Sequence, residues 1–196
     1  MKTMPDTRQQ ILNAALKRFA QKGYAGASIQ EIVDAARVSK PALYYYFRNK
    51  ADLYRALVEW AFEERYRLMQ EAAGKGRNLA EQLTEVCAVL FAFIRNHRDL
   101  TRMTFATAFA ARGEVPAEAG CSQKGLRSFE FLHDLIKEAS RRGELSKHFD
   151  TEELAMGFVG MMHLRIMAYL IGLREPPDRR TAQRLVELFF TGARAT

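Results

Sequence analysis

The sequence predicts an all-α protein, in which a small N-terminal three-helix domain built round a helix-turn-helix precedes a larger helical domain. Three observations carry this expectation. Apolar residues recur at helical spacing along the chain, and no period-two apolar run is bounded by hairpin turns. Short polar residues followed three positions later by Gln, Glu or Asp open several of these segments, as helix caps do. Glycine or proline punctuates the segment ends.

Taken in order, the first helix begins at Asp6 or Thr7, each with a glutamine three residues on. Its apolar stripe is Ile11, Ala14, Ala15 and Phe19, and Gly23 supplies a left-handed stop. Ser28 caps the second helix, with Glu31 at the capping-box position and Ile29, Ile32, Val33 and Ala36 as its inner face. Arg37, Val38 and Ser39 form a turn. Pro41 falls in the first turn of a short third helix, where its missing N–H costs nothing. Asn49, with Asp52, caps a long fourth helix that runs to about Ala73 and stops at Gly74 and Gly76. Further helices are expected at about 78–97, 99–112, 123–142, 151–172 and 179–194. Between them, Gly113 to Ser122 reads as a mobile loop, Asp150 with Glu153 as another capping box, and Gly172 to Asp178 as a proline-containing link. The domain boundary is placed after residue 64: residues 4–64 as one domain, with the helix-turn-helix at about 27–46, and 65–196 as the other.

The composition, 48% hydrophobic and 27% charged, is that of a soluble globular protein. Met1 to Gln10 is polar, and the longest uncharged apolar run, Cys87 to Ile94, is far short of a membrane span; neither signal peptide nor membrane association is expected. Cys87 and Cys121 stand far apart, which suits a reducing, cytoplasmic compartment and leaves open whether either senses redox state. The charge is uneven. Residues 1–50 hold nine basic side chains against three acidic ones, whereas residues 51–196 hold 21 against 20. Nearly all of the net +7 therefore lies in the first quarter of the chain, where it would attract a polyanion.

The third helix sharpens this. At about 100° per residue, Leu43 and Phe47 share the face that can pack on the first two helices. Tyr45 then points outward, with Tyr44 and Tyr46 on its flanks. Three successive tyrosines cannot all be buried. Pro41 and Ala42 are short enough for close approach to base edges and thymine methyls in a major groove, and the phenols and Lys40 can reach phosphate. Ser28 and Lys50 sit at the starts of the second and fourth helices, where unpaired N–H groups favour anions.

The continuous stretch from Ser28 to Leu53, with its Leu-Tyr-Tyr-Tyr-Phe-x-x-Lys core at 43–50, resembles the DNA-binding domain of the TetR family of repressors, and the likeness extends over about residues 8–60. Carried over position by position, it implies DNA contacts at Ser28, Gln30, Lys40, Pro41, Ala42, Tyr44, Tyr45, Tyr46 and Lys50. Gln30, Lys40 and Ala42 would face base edges; Ser28, Tyr44, Tyr45 and Lys50 would hold phosphate. Two positions depart from the family pattern. Arg37 replaces the glycine that usually ends the second helix, which predicts strain in the turn, and Tyr46 stands where many members have histidine.

The resemblance also implies that the C-terminal domain dimerises and binds a small effector. The helix at 151–172 is apolar on two sides, Leu154, Phe158 and Met161 on one and Ala155, Val159, Met162 and Ile166 on another. Gly157 and Gly160 permit close helix approach, and the last helix presents Ala182, Leu185, Val186 and Phe189 with Leu188 and Phe190 flanking; a homodimer through residues 151–195 is expected. Phe91, Met103, Phe105, Phe109, Phe131, Met161 and Met162 are candidates to line an apolar effector pocket, with His163 or Arg165 as polar anchors. No cofactor is expected. His97, His133, His148 and His163 show no metal-ligand spacing, and Glu63, Glu64, Glu152 and Glu153 read as solvated carboxylates. No phosphate loop or nucleophile elbow marks an enzyme. The expected function is a DNA-binding transcriptional regulator, a repressor released from a palindromic operator by a small apolar effector. The alternative is a regulator without such a ligand, controlled by abundance or a protein partner.

Overall fold

A computed structural model describes residues 6–111, 113–116, 119 and 121–193, with side chains described at all of these except 121–123, 192 and 193. Among the described residues there are nine helices and no strand: α1 Thr7–Gly26, α2 Ile29–Ala36, α3 Lys40–Tyr46, α4 Lys50–Ala73, α5 Leu79–Asn96, α6 Arg98–Ala108, α7 Cys121–Arg141, α8 Thr151–Leu170 and α9 Arg179–Ala193. The fold is all-α, with the helix-turn-helix in its N-terminal part. Met1 to Pro5, where the N-terminal domain was expected to begin, and part of the expected mobile loop at Gly113–Ser122 lie outside the described residues.

The caps behave as the local sequence demands. Asp6 caps α1, and Ser28 and Glu31 close a reciprocal capping box on α2. Asp150 and Glu153 do the same for α8. At the start of α4 the Asp52 N–H donates to Asn49 Oδ1 at 2.8 Å, while the Asp52 carboxylate accepts from the Arg48 N–H at 3.0 Å. Gly23 has φ 70° inside α1, so the helical hydrogen bonding breaks there and one further turn follows to Gly26. Gly76 is required for a different reason: a Cβ at this position would lie 2.4 Å from the Gln82 backbone nitrogen.

The chain separates into two compact units, one running to Phe62 and including Asp99–Ser122, the other comprising Glu63–Arg98 and the chain from Gln123 onward. The first break falls within α4, two residues before the boundary read from sequence. Residues 99–122, assigned from sequence to the C-terminal domain, group instead with the N-terminal helices. A buried bond explains why. Tyr54 Oη of α4 lies 2.6 Å from Thr107 Oγ1 of α6, and the Thr107 hydroxyl donates to the Met103 carbonyl at 2.7 Å.

In the first unit, α1, α2 and α3 pack round Ile11, Ala15, Ile32, Leu43 and Leu53, all inaccessible to solvent, with Phe19 and Phe47 almost so. Phe19, Tyr24 and Tyr54 form an aromatic cluster in which Tyr54 meets the other two rings edge-on at 5.0 and 5.2 Å. In the second unit α5 packs along α9 and α8, and its core includes Leu83, Val86, Phe91, Phe158 and Ala182. Cys87 is buried there too, its Sγ 3.8 Å from Met162 Sδ, and burial pushes its thiol up to about 12. Such a thiol stays protonated and unreactive, which argues against a redox sensor at this position; the Cys121 side chain lies outside the described residues.

Candidate nucleic-acid interface

The interface is built from α2, α3 and the turn between them. Ile32 and Val33 are buried and seat α2, with Ile29 and Ala36 half-buried at the edges of that face. The turn requires Arg37 in the left-handed region, φ 56° and ψ 43°; among the described residues it is the only non-glycine there. The Arg37 N–H donates to the Asp34 carbonyl at 3.2 Å and the Val38 N–H to the Val33 carbonyl at 3.1 Å, closing the end of α2. Ser39 then caps α3 by accepting the Ala42 N–H at 3.2 Å.

Helix α3 is anchored on one side and open on the other. Leu43 is wholly buried, Phe47 nearly so, and the Arg8 guanidinium lies over the Phe47 ring. Tyr45 is 82% exposed, Tyr44 50% and Tyr46 36%, with the rings of Tyr45 and Tyr46 edge-to-face at 5.0 Å. Lys40 and Pro41 are exposed and Ala42 half-buried. Seven sequence-predicted contacts, including Gln30 and excluding Ser28 and Lys50, thus lie on or beside the outer face of one short helix and its neighbour. An exposed row of phenols presents O–H donors and ring faces together, and suits a partner that offers both phosphate acceptors and apolar base edges.

Three predicted residues have intramolecular work. Ser28 is exposed, but its hydroxyl serves the capping box: it accepts the Glu31 N–H and donates to the Glu31 carboxylate, both at 3.2 Å. Glu31 in turn pairs with Lys22 of α1, and the Lys22 hydrogen bond and the Ser28 N–H hold its carboxyl below the usual range. Gln30 donates an amide N–H to Asp34 at 2.8 Å across one turn of α2. Lys50 departs furthest from the phosphate contact implied by resemblance. Its Nζ donates to the carbonyls of Tyr24 at 2.9 Å, Ala27 at 3.1 Å and Ala25 at 3.4 Å, and sits 4.4 Å above the Tyr24 ring. Nothing in the sequence pattern signals this, because its partners are more than twenty positions away.

The expected effector residues divide between the units. Met103, Phe105 and Phe109 belong to the first, and Phe109 is 82% exposed. Phe91, Phe131, Met161, Met162, His163 and Arg165 belong to the second. There Phe91 is fully buried in the core, Phe131 meets Tyr66 edge-on at 5.8 Å, and Met162 packs against Cys87. His163 keeps an exposed edge, yet desolvation, and secondarily the charge of Arg65, lowers its pKa. Arg165 donates through Nη2 to the Glu175 carbonyl at 2.8 Å, while its Nη1 is buried with no hydrogen-bond partner among the described residues.

A family model described as "Bacterial regulatory proteins, tetR family" matches residues 11–57, the segment that forms this surface. The transcriptional regulator AcuR of Cereibacter sphaeroides is 31% identical over 160 residues, covering 76% of this chain and 70% of AcuR. The chain belongs to the tetR family. Like the family's other regulators it is a DNA-binding transcriptional regulator and not an enzyme. The likeness includes an activator, FasR of Mycolicibacterium smegmatis, 28% identical over 80% of this chain and 68% of that one. Among solved structures, the transcriptional regulator FadR of Bacillus subtilis in complex with stearoyl-CoA superposes with a TM-score of 0.77 at 19% identity, covering 94% of this chain and 98% of FadR. At that identity the match establishes that this tetR-family chain has the same fold. Among the described residues no helix is long and apolar enough to cross a membrane.

Proposed function

We propose that this tetR-family regulator is a cytoplasmic homodimeric repressor that binds a palindromic operator and is released by a small apolar effector. The observation that carries the reading is the outer face of α3, where Tyr44, Tyr45 and Tyr46 stand exposed while Leu43 and Phe47 fasten the helix to the core. In this reading Gln30, Lys40 and Ala42 read base edges, Pro41 and Tyr46 line the groove, and Ser28, Tyr44 and Tyr45 hold phosphate.

The dimer is supported by α8. Met156, Leu164 and Met167 along this helix, with Ile171 just beyond its end, form an apolar row that is 41–67% exposed, and Gly157 and Gly160 lie open beside it. Leu188 of α9 is 65% exposed. Such a row on a water-soluble chain marks a protein contact, and a second copy offers the same row across a two-fold axis. The effector reading is supported by Arg165, whose buried Nη1 has no hydrogen-bond partner among the described residues; a polar group on an otherwise apolar ligand would satisfy it.

The test is selection from a random duplex library, followed by a screen for operator release. Selection is expected to enrich an inverted repeat with half-sites about one helical turn, or a multiple of it, apart. Long-chain acyl-CoA thioesters, for which stearoyl-CoA in the FadR complex is the precedent, and other hydrophobic metabolites are the first ligands to try. Hundredfold release requires the effector to bind the DNA-incompetent state more tightly by about 2.7 kcal/mol. Enrichment of no sequence would sink the operator reading. Ligands that bind without changing operator affinity would favour control by abundance or a protein partner.

A further inference from the structure

Arg37 leads into α3 in a conformation that disfavours any side chain. Its φ of 56° and ψ of 43° lie in the left-handed region, where a Cβ crowds the backbone and glycine meets no such penalty. The closure of α2 is the work of backbone alone, since the Arg37 and Val38 N–H groups reach the Asp34 and Val33 carbonyls whatever side chain stands there. The guanidinium is exposed, and among the described residues it makes no hydrogen bond, ion pair or ring contact. Both carboxylates of α2 are engaged by other residues: Asp34 accepts from the Gln30 amide at 2.8 Å, and Glu31 pairs with Lys22. Between Asp34 and Asp52 the chain holds four cations, Arg37, Lys40, Arg48 and Lys50, and no carboxylate. Arg37 and the exposed Lys40 stand on either side of Ser39, the cap of α3.

We propose that Arg37 is a phosphate contact: a cation placed at the entry to α3 that reaches the DNA backbone beside the groove. The proposal rests on the reading of α3 as the helix that enters that groove. A phosphate supplies what the fold does not, a pair of anionic oxygens for a flat guanidinium donor. Such a contact carries no sequence information; it adds affinity and salt dependence. The strained backbone then has a functional account, because the side chain that strains the free protein acts only in the complex. One internal role is also open to this cation, stabilising the negative C-terminal pole of α2. The two roles predict opposite changes in melting when the side chain is removed.

Arg37→Gly and Arg37→Asn both suit a left-handed turn and remove the charge, whereas Arg37→Lys keeps it. On the operator selected by the wild-type protein, the Gly and Asn variants are expected to bind about tenfold more weakly. Their slope of log affinity against log salt should be shallower by about 0.9 for each protomer, and neither should melt earlier than wild type. Affinity for non-operator duplex should fall in the same proportion, as befits a contact to backbone. Arg37→Lys is expected to keep the wild-type slope, and so is Arg180→Gln, which removes an exposed charge from α9. A wild-type slope in both Arg37→Gly and Arg37→Asn, or an equal loss in Arg180→Gln, would overturn the phosphate contact. Earlier melting with wild-type affinity would overturn it in favour of the helix pole. Were the wild-type protein to select no duplex, the groove reading of α3 would fall and take the inference with it; a selected duplex bound equally by the variants would sink the inference alone.

Discussion

A single backbone angle shows how much one residue can concede to the interface. Arg37 occupies the left-handed region at the end of α2, where a Cβ costs roughly 1 kcal/mol and glycine costs nothing. The turn adopts that geometry because the Arg37 and Val38 amides must close the end of α2, whatever side chain is present. Replacing Arg37 by glycine is expected to stabilise the protein by about 0.5 kcal/mol, the relief of strain exceeding the added freedom of the unfolded chain. In a chain of this size that is about 1–2 °C in melting temperature, readable by calorimetry. An unchanged or lower melting temperature would show that the guanidinium makes a compensating contact. The strain was legible in the sequence through the resemblance, because Arg37 stands where the tetR family usually has glycine. The commitment of Lys50 was not: it depends on where α4 crosses α1.

At the scale of the element, two carboxylates hold the starts of α2 and α4. Glu31 is kept below the usual carboxylate range by Lys22 and then by the Ser28 N–H, and Asp52 by the Arg48 N–H ahead of Arg55. Both native values lie below the unfolded ones. Their contribution to stability is therefore fully present above the ordinary carboxylate range, and is lost as pH falls through the depressed native values. Melting followed by circular dichroism from about pH 7 to about pH 2 should show an acid loss that Glu31→Gln makes shallower. An acid limb identical in the variant would mean that Glu31 carries none of the effect. These caps follow from Ser-x-x-Glu and Asn-x-x-Asp spacing, and their hydrogen bonds form where that spacing puts them. The ion pair between Lys22 and Glu31 joins two helices and has no local signature.

Over the whole molecule, sequence periodicity marks α8 as apolar on more than one side, and the fold decides which of those residues are buried. Phe158 and Met162 are core, whereas Met156, Leu164, Met167 and Ile171 stay exposed. Phe189, a natural choice for disrupting a dimer, packs edge-on against Phe158 at 5.3 Å within one chain and is 7% exposed. Substitutions at the two kinds of site should therefore part company. Leu164→Arg or Leu188→Glu is expected to give a folded monomer by sedimentation at micromolar concentration, with helical content retained. Phe189→Ala, which leaves a cavity, should lose about 3–5 kcal/mol of stability in the protomer itself. A Leu164→Arg protein that remains dimeric would place the interface elsewhere.

What the sequence determined by itself is what local physics controls: helix starts, stops and caps, the short α3 with its exposed tyrosines, and the charge collected in the first fifty residues. These depend on neighbours within about one helical turn, and together with the resemblance of residues 28–53 to the tetR-family DNA-binding domain they marked the chain as a DNA-binding regulator. Only the tertiary structure decided the rest. It brought Lys50 onto carbonyls 23 to 26 positions away, joined α6 to the N-terminal unit through Tyr54 and Thr107, and divided the apolar faces of α8 between core and surface. The reason is physical: a side chain's periodic position shows that it lies on an apolar stripe, but whether that stripe meets another helix or water is set by elements far away in the chain.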